Sequence, residues 1–230
     1  MAADRIPRHY EVQVDNQAKG GFFFVAQTVK SKQIQSMTLT DRLRTTFKGV
    51  LDPLGAFLNR LGILPNTVTI LGLVGNTVGA VLLAFGEMTI GGIIILLMGP
   101  VDALDGTMAR LRGESGEFGA FVDSVADRYS ELVILGGLLF YYLEQGAWLP
   151  AMLAYASAAG SVLVSYTRAR AQSIGIDTKV GVLTRLERYL VLAPALVLNI
   201  PEAALWIMAV LGNITALQRI IDIRNKAHKF

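Results

Sequence analysis

Residues 61–86 of this chain contain no charged side chain, and neither do residues 145–167 or 203–218. About 20 apolar residues in a helix cross the hydrocarbon core of a bilayer, where only helices and closed barrels satisfy every backbone N–H and C=O. Long uncharged runs repeated along one chain therefore point to an all-α integral membrane protein. Composition agrees: 53% of the 230 residues are hydrophobic and 17% charged, and the mean hydropathy of +0.48 is too high for an ordinary soluble domain.

The pattern predicts six transmembrane helices preceded by an amphipathic interfacial helix. The interfacial helix covers 38–61, where Leu39, Leu43, Phe47, Val50, Leu51, Leu54 and Leu58 recur near helical spacing between Arg42, Arg44, Lys48 and Arg60. A basic, apolar-faced helix of this kind lies in the headgroup layer or packs on protein, and the sequence leaves both open. The spans follow at about 66–86, 89–111, 116–143, 146–172, 183–199 and 203–223, the first entered through polar groups after Pro65 that could cap it. Residues 37–230 form this domain. Residues 1–36 are largely polar and mixed in charge, with a short aromatic cluster at Phe22, Phe23 and Phe24, and lack the pattern of a signal peptide. Since the character changes at Met37, they are expected to be an appended segment outside the domain.

Net charge is +3, but the position of Lys and Arg matters more than their sum. The connections around Glu87, after Tyr142 and after Leu198 carry none. The opposite ends carry Arg110 and Arg112; Arg168, Arg170, Lys179, Arg185 and Arg188; and Arg219, Arg224, Lys226 and Lys229. By the positive-inside rule these ends and both termini face the cytoplasm, in a multi-pass protein of the cell (inner) membrane. The absence of cysteine excludes disulfides, thiolate metal sites and a cysteine nucleophile, and leaves oxygen-ligand metal chemistry open.

Against this background the stretch DALDGTMARLRGESGEFGAFVDSVAD stands out. Asp102 and Asp105 share one helix face, and Gly119, Asp123 and Asp127 another, because residues three or four apart lie one above the other. Carboxylates beside membrane segments are costly and usually functional. Two acidic faces meeting would need cations. Hard divalent ions held by carboxylates can neutralise a diphosphate leaving group, and a pair of them can clamp the attacking and leaving oxygens. A cation pathway is a second reading of intramembrane acids, although the four cluster at one end of the spans rather than in the middle; a membrane scaffold is a third.

The spacing Asp102-x2-Asp105-Gly106-x2-Ala109-Arg110, eight residues, Gly119-x3-Asp123-x3-Asp127 resembles the signature of the CDP-alcohol phosphotransferases, which are integral membrane enzymes. The resemblance extends from about Thr38 to the C-terminus. It implies Asp102, Asp105, Asp123 and Asp127 as ligands of Mg²⁺ or Mn²⁺, two ions in the family's pattern, with Asp127 as the catalytic general base. It also implies Gly106, Ala109, Arg110 and Gly119, with Asn66 and Thr69 at the entry of the first span, as the CDP-lipid site. CDP-diacylglycerol, membrane lipids and a homodimeric partner are the implied associates, and nucleic acid is not.

The acceptor alcohol depends on basic residues elsewhere. SYTRARAQSIG, LTRLERYL and ITALQR are similar to segments of prokaryotic phosphatidylinositol-phosphate synthases, which implies inositol phosphate as acceptor and Arg168, Arg185, Arg188 and Arg219 around its phosphate. Arg168 stands where Lys is common, and Leu186 where Pro is common. A phosphatidylglycerophosphate synthase, or another enzyme with a phosphorylated acceptor, would need similar cations. Arg219, first charge after the uncharged run, either faces the bundle interior or pairs at the surface with Asp222.

Overall fold

The computed structural model describes residues 39–113 and 116–228, with side chains from Phe47 onward. Residues 1–38, including the aromatic cluster and the expected domain boundary, lie outside the described residues. The described residues form seven helices: α1 (Leu39–Arg60), α2 (Pro65–Ala84), α3 (Met88–Arg112), α4 (Glu117–Glu144), α5 (Trp148–Ser173), α6 (Arg185–Val197) and α7 (Pro201–Ala227).

Hydropathy forms the helices, and three tight turns fold them back. Residues 85–87, 145–147 and 198–200 connect α2 to α3, α4 to α5 and α6 to α7. Each turn carries one residue in the left-handed region, Gly86 (φ 89°), Gly146 (φ 65°) and Asn199 (φ 58°), the conformation that terminates a helix at low cost for glycine and asparagine. The start of α2 differs from expectation. Its N-cap is Leu64, with no side-chain capping bond, and Pro65 occupies the first turn; proline has no N–H to cap and its φ already suits a helix start.

Helices α2 to α7 close into a ring, because α2 packs on α3 and α4, α4 on α5, α5 on α7, α7 on α6, and α6 on α3. Small residues permit the close crossings: a Cβ on Gly137 of α4 would collide with the backbone carbonyl of Ala80 on α2. The core runs through the ring on Leu83, Ile95, Leu138, Leu196 and Leu205, all nearly inaccessible. Outside it, large apolar side chains such as Val74, Leu97, Phe140, Met152 and Trp206 are exposed.

Four helices, α2, α3, α5 and α7, are long and apolar enough to cross a membrane. α4 has 28 residues but carries Asp123, Asp127 and Arg128 in its first half and Glu131 at its middle. α6 has only 13 residues, a rise of about 20 Å against a hydrocarbon core of about 30 Å. It is shorter than the expected 183–199 because the preceding loop is held down on α7. Thr178 Oγ1 donates to Asp222 Oδ2 (2.8 Å), Arg219 Nε donates to Val180 O (3.0 Å), and the Leu183 N–H donates to Thr215 Oγ1 (3.0 Å).

α1 packs against the end of α3. Leu51 joins Val68, Leu104 and Met108 in a small core, and Asn59 accepts from Arg112 Nε (2.7 Å) while its Nδ2 donates to Met108 O (3.2 Å). One stripe of α1 thus packs on protein. Phe47, Val50, Leu54 and Phe57 on its other side remain exposed.

Candidate active site

The ring brings the four aspartates to one end of the bundle, on α3 and α4, which both pack against α2. Asp105 and Asp127 are buried, at 5% and 8% exposure, so they are not carboxylates of a surface loop. Asp105 is fixed from both sides: Thr69 Oγ1 donates to its Oδ2 (2.5 Å) and the Gly106 N–H to its Oδ1. Asp102 presses on α2 at Gly72, where a Cβ would come within 2.5 Å of its Oδ1. The charge of Asp123 acts on Asp102, Asp105 and Asp127 alike. The two predicted acidic faces do meet.

Arg185, at the start of α6, is the cation shared between them. Its Nη2 lies 3.3 Å from Asp102 Oδ2 and its Nη1 contacts Asp127 Oδ2. Among the described residues, no three acidic or histidine side chains stand close enough to hold one ion by themselves. The donors nevertheless suit a hard divalent cation. They are carboxylate oxygens only, two of them already converge on one positive group, and Gly72 provides a cradle that any larger residue would fill.

Asn66 and Gly119, predicted to flank the nucleotide, are brought together: a Cβ on Gly119 would lie 3.7 Å from Asn66 Oδ1. Gly106 lets Arg110 fold close over it: a Cβ placed there would lie 3.3 Å from Arg110 Nη1. Arg110 Nη2 donates to Thr107 Oγ1 (2.8 Å). Ala109 is half-buried beside them. Small residues and one arginine thus form a shelf beside the acids.

The basic half is built from α5, α6 and α7. Arg219 is buried, at 4% exposure, and donates through Nε to Val180 O and through Nη1 to Val164 O (2.6 Å). Among the described residues it meets no carboxylate, because Asp222 pairs instead with Lys226 (2.7 Å). The charges of Arg168 and Arg188 both act on Arg219. Arg188, at 1% exposure, is committed differently from Arg219: its fork closes on Glu131, which also accepts from Ser161 Oγ (2.9 Å). Sequence reasoning passed over Glu131, although it follows Asp127 by four residues and so shares its helix face. It also passed over Gly72, three residues after Thr69.

Tyr189 completes the framework. Pro100 removes a backbone donor from α3, and the Tyr189 hydroxyl donates to the carbonyl left over, Leu96 O (2.7 Å), while accepting from the Gly99 N–H (3.1 Å). α6 is thereby bolted to α3 just before Asp102.

Residues 62–217 match the family model described as CDP-alcohol phosphatidyltransferase. The chain belongs to this family. Among curated members, a phosphatidylinositol phosphate synthase of Streptomyces avermitilis is 38% identical over 80% of this chain and 82% of its own length. An archaetidylinositol phosphate synthase of Pyrococcus horikoshii is 31% identical over 82% of this chain and 98% of its own. Among solved family structures, the Mycobacterium tuberculosis phosphatidylinositol phosphate synthase with CDP-DAG bound superposes with a TM-score of 0.72, at 28% identity over 76% of this chain and 93% of that one. The same enzyme in complex with manganese and citrate gives 0.72 at 29% identity, covering 76% and 88%.

Proposed function

We propose that this CDP-alcohol phosphatidyltransferase makes phosphatidylinositol phosphate from CDP-diacylglycerol and inositol phosphate, releasing CMP. The observation that carries the acceptor is Arg219, a buried cation with no acid of its own beside two further arginines, since a buried charge needs a counter-charge and a phosphate is one that arginine binds well. The relatives' names support it: they differ in the lipid, phosphatidyl or archaetidyl, and share the inositol phosphate part.

In this reading Gly106, Ala109, Arg110 and Gly119, with Asn66 and Thr69, receive the CDP end of the lipid. Asp102, Asp105, Asp123 and Asp127 hold magnesium or manganese, two ions by the family's pattern. Bound there, a divalent ion supplies neutralising charge for the diphosphate. Arg168, Arg185, Arg188 and Arg219 surround the acceptor's phosphate, with Arg188 oriented by Glu131. Asp127 takes the proton of the attacking hydroxyl, the new O–P bond forms at the β-phosphorus, and the bond to the CMP oxygen breaks. No covalent enzyme intermediate is needed.

The six helices of the ring form the membrane domain, with α6 entering from the charged side and α1 at the interface. The aspartates, the arginines and both termini face the cytoplasm of the cell membrane, residues 1–36 are an appendage, and the protein works as a homodimer. CMP release from CDP-diacylglycerol, measured with inositol phosphate, free inositol, glycerol phosphate and serine in turn, tests the assignment. Release with inositol phosphate is expected; release with another acceptor in its place would reject it.

A further inference from the structure

Beneath the aspartates the ring encloses a cavity of about 50 Å³, reaching from Asp102 and Asp127 inward past Ser130 and Arg188 to Asn76 on α2. A water needs roughly 10–15 Å³ measured this way, so the cavity has room for several hydroxyl-sized groups. Asn76 is 3% exposed, and its Oδ1 has no hydrogen-bond partner among the described residues. Leaving a buried carbonyl oxygen unpaired is costly, and such a group in a cavity beside a reaction centre calls for a donor.

The placement of Asn76 is tied to the site by helix geometry. Thr69, Gly72 and Asn76 lie three and four residues apart on the face of α2 that meets the acids: Thr69 bonds Asp105, Gly72 abuts Asp102, and Asn76 follows one turn deeper. The donor lipid is directed elsewhere, to the Gly106 shelf. Among the described residues the one acid lining the cavity besides Asp102 and Asp127 is Glu131, already paired with Arg188, so a cation deeper than the aspartates would find no free carboxylate. What remains is a neutral O–H donor entering past Asp127.

Resting on the acceptor reading above, we infer that Asn76 Oδ1 accepts a hydrogen bond from a second hydroxyl of the polyol acceptor while the reacting hydroxyl faces Asp127. Asn76 is thus a specificity residue, selecting an acceptor with more than one hydroxyl beside its phosphate. Its hydrogen bond adds discrimination because an analogue lacking that hydroxyl leaves the buried carbonyl unpaired.

The test compares kcat/KM for inositol phosphate and for analogues with single ring hydroxyls replaced by hydrogen, in the full-length protein and in Asn76→Leu, with Asn76→Ser as the milder variant should leucine impair folding. Each ratio is taken within one protein sample, so the folded fraction cancels. The full-length protein should disfavour one analogue by about tenfold, and both variants should lose that preference with the KM for CDP-diacylglycerol unchanged. Ratios identical in all three proteins would overturn the inference and leave Asn76 bonded to water. Turnover of inositol phosphate by the unaltered protein decides the acceptor reading separately. If glycerol phosphate is used instead, that reading falls, and the same ratio taken with propanediol phosphate still decides the role of Asn76.

Discussion

The guanidinium of Arg188 closes on the carboxylate of Glu131, Nε to Oε1 at 2.5 Å and Nη2 to Oε2 at 2.9 Å. A third donor, Nη1, reaches Leu183 O (3.2 Å). This bidentate pair ties α4, which carries Asp123 and Asp127, to α6, which carries Arg185. The acid and basic halves are therefore not independent surfaces that happen to face one another. The pair fixes their separation together with the contacts of Arg185 to Asp102 and Asp127.

Breaking a buried pair by removing one partner leaves an uncompensated charge, which costs about 3–5 kcal/mol, whereas replacing both partners with apolar residues is often neutral. Glu131→Leu should therefore lower the melting temperature in detergent sharply, and Glu131→Leu with Arg188→Leu should recover most of it while remaining inactive. A double variant as unstable as the single one would show that the pair is not the structural link described.

Gly72 separates activity from stability. An alanine is worth about 1 kcal/mol more than glycine in a helix interior, yet its Cβ would stand 2.5 Å from Asp102 Oδ1, so the carboxylate must move. A displacement of this order in a reacting group can cost about 100-fold in rate. Gly72→Ala is expected to keep or raise the melting temperature and to need more divalent metal for half-maximal activity. Unchanged metal dependence would mean that Asp102 is not a ligand.

The acid half of the site was legible because its information is local. Asp102, Asp105, Asp123 and Asp127 lie on two consecutive helices, and their spacing places them on facing sides before any tertiary contact is known. The basic half depends on contacts between distant segments, such as Glu131 to Arg188 and Arg219 to Val164, and no spacing rule marks the partner. A positive-inside pattern explains an arginine at position 188 as readily as a binding role does, so its commitment to Glu131 was invisible. The interior position of Arg219 was one of two open readings. What decides it is Lys226, which takes Asp222 away. Hydropathy overestimated the length of the fifth span because uncharged Leu183 and Thr184 end a loop anchored by Thr215 and Asp222. Asn76 carries no signal in the sequence except its phase with Thr69 and Gly72.

In the mechanism we propose, Asp127, buried and lining the cavity, is the base. Asp127→Asn removes the proton acceptor and keeps the shape, so kcat should fall by about 10²- to 10⁴-fold, with CDP-diacylglycerol binding reduced far less. Binding is read by calorimetry in the presence of manganese. A kcat within a few fold of the unaltered protein would assign the base elsewhere.

We propose that Arg219, buried and with no acid partner among the described residues, selects a phosphorylated acceptor. This is tested most directly by the kinetics of Arg219→Gln with both substrates varied. Hydrogen bonds to a charged group are worth about 1.5–3 kcal/mol, so the KM for inositol phosphate should rise about 10- to 100-fold while the KM for CDP-diacylglycerol stays the same. An equal rise in both, or none in either, would contradict it.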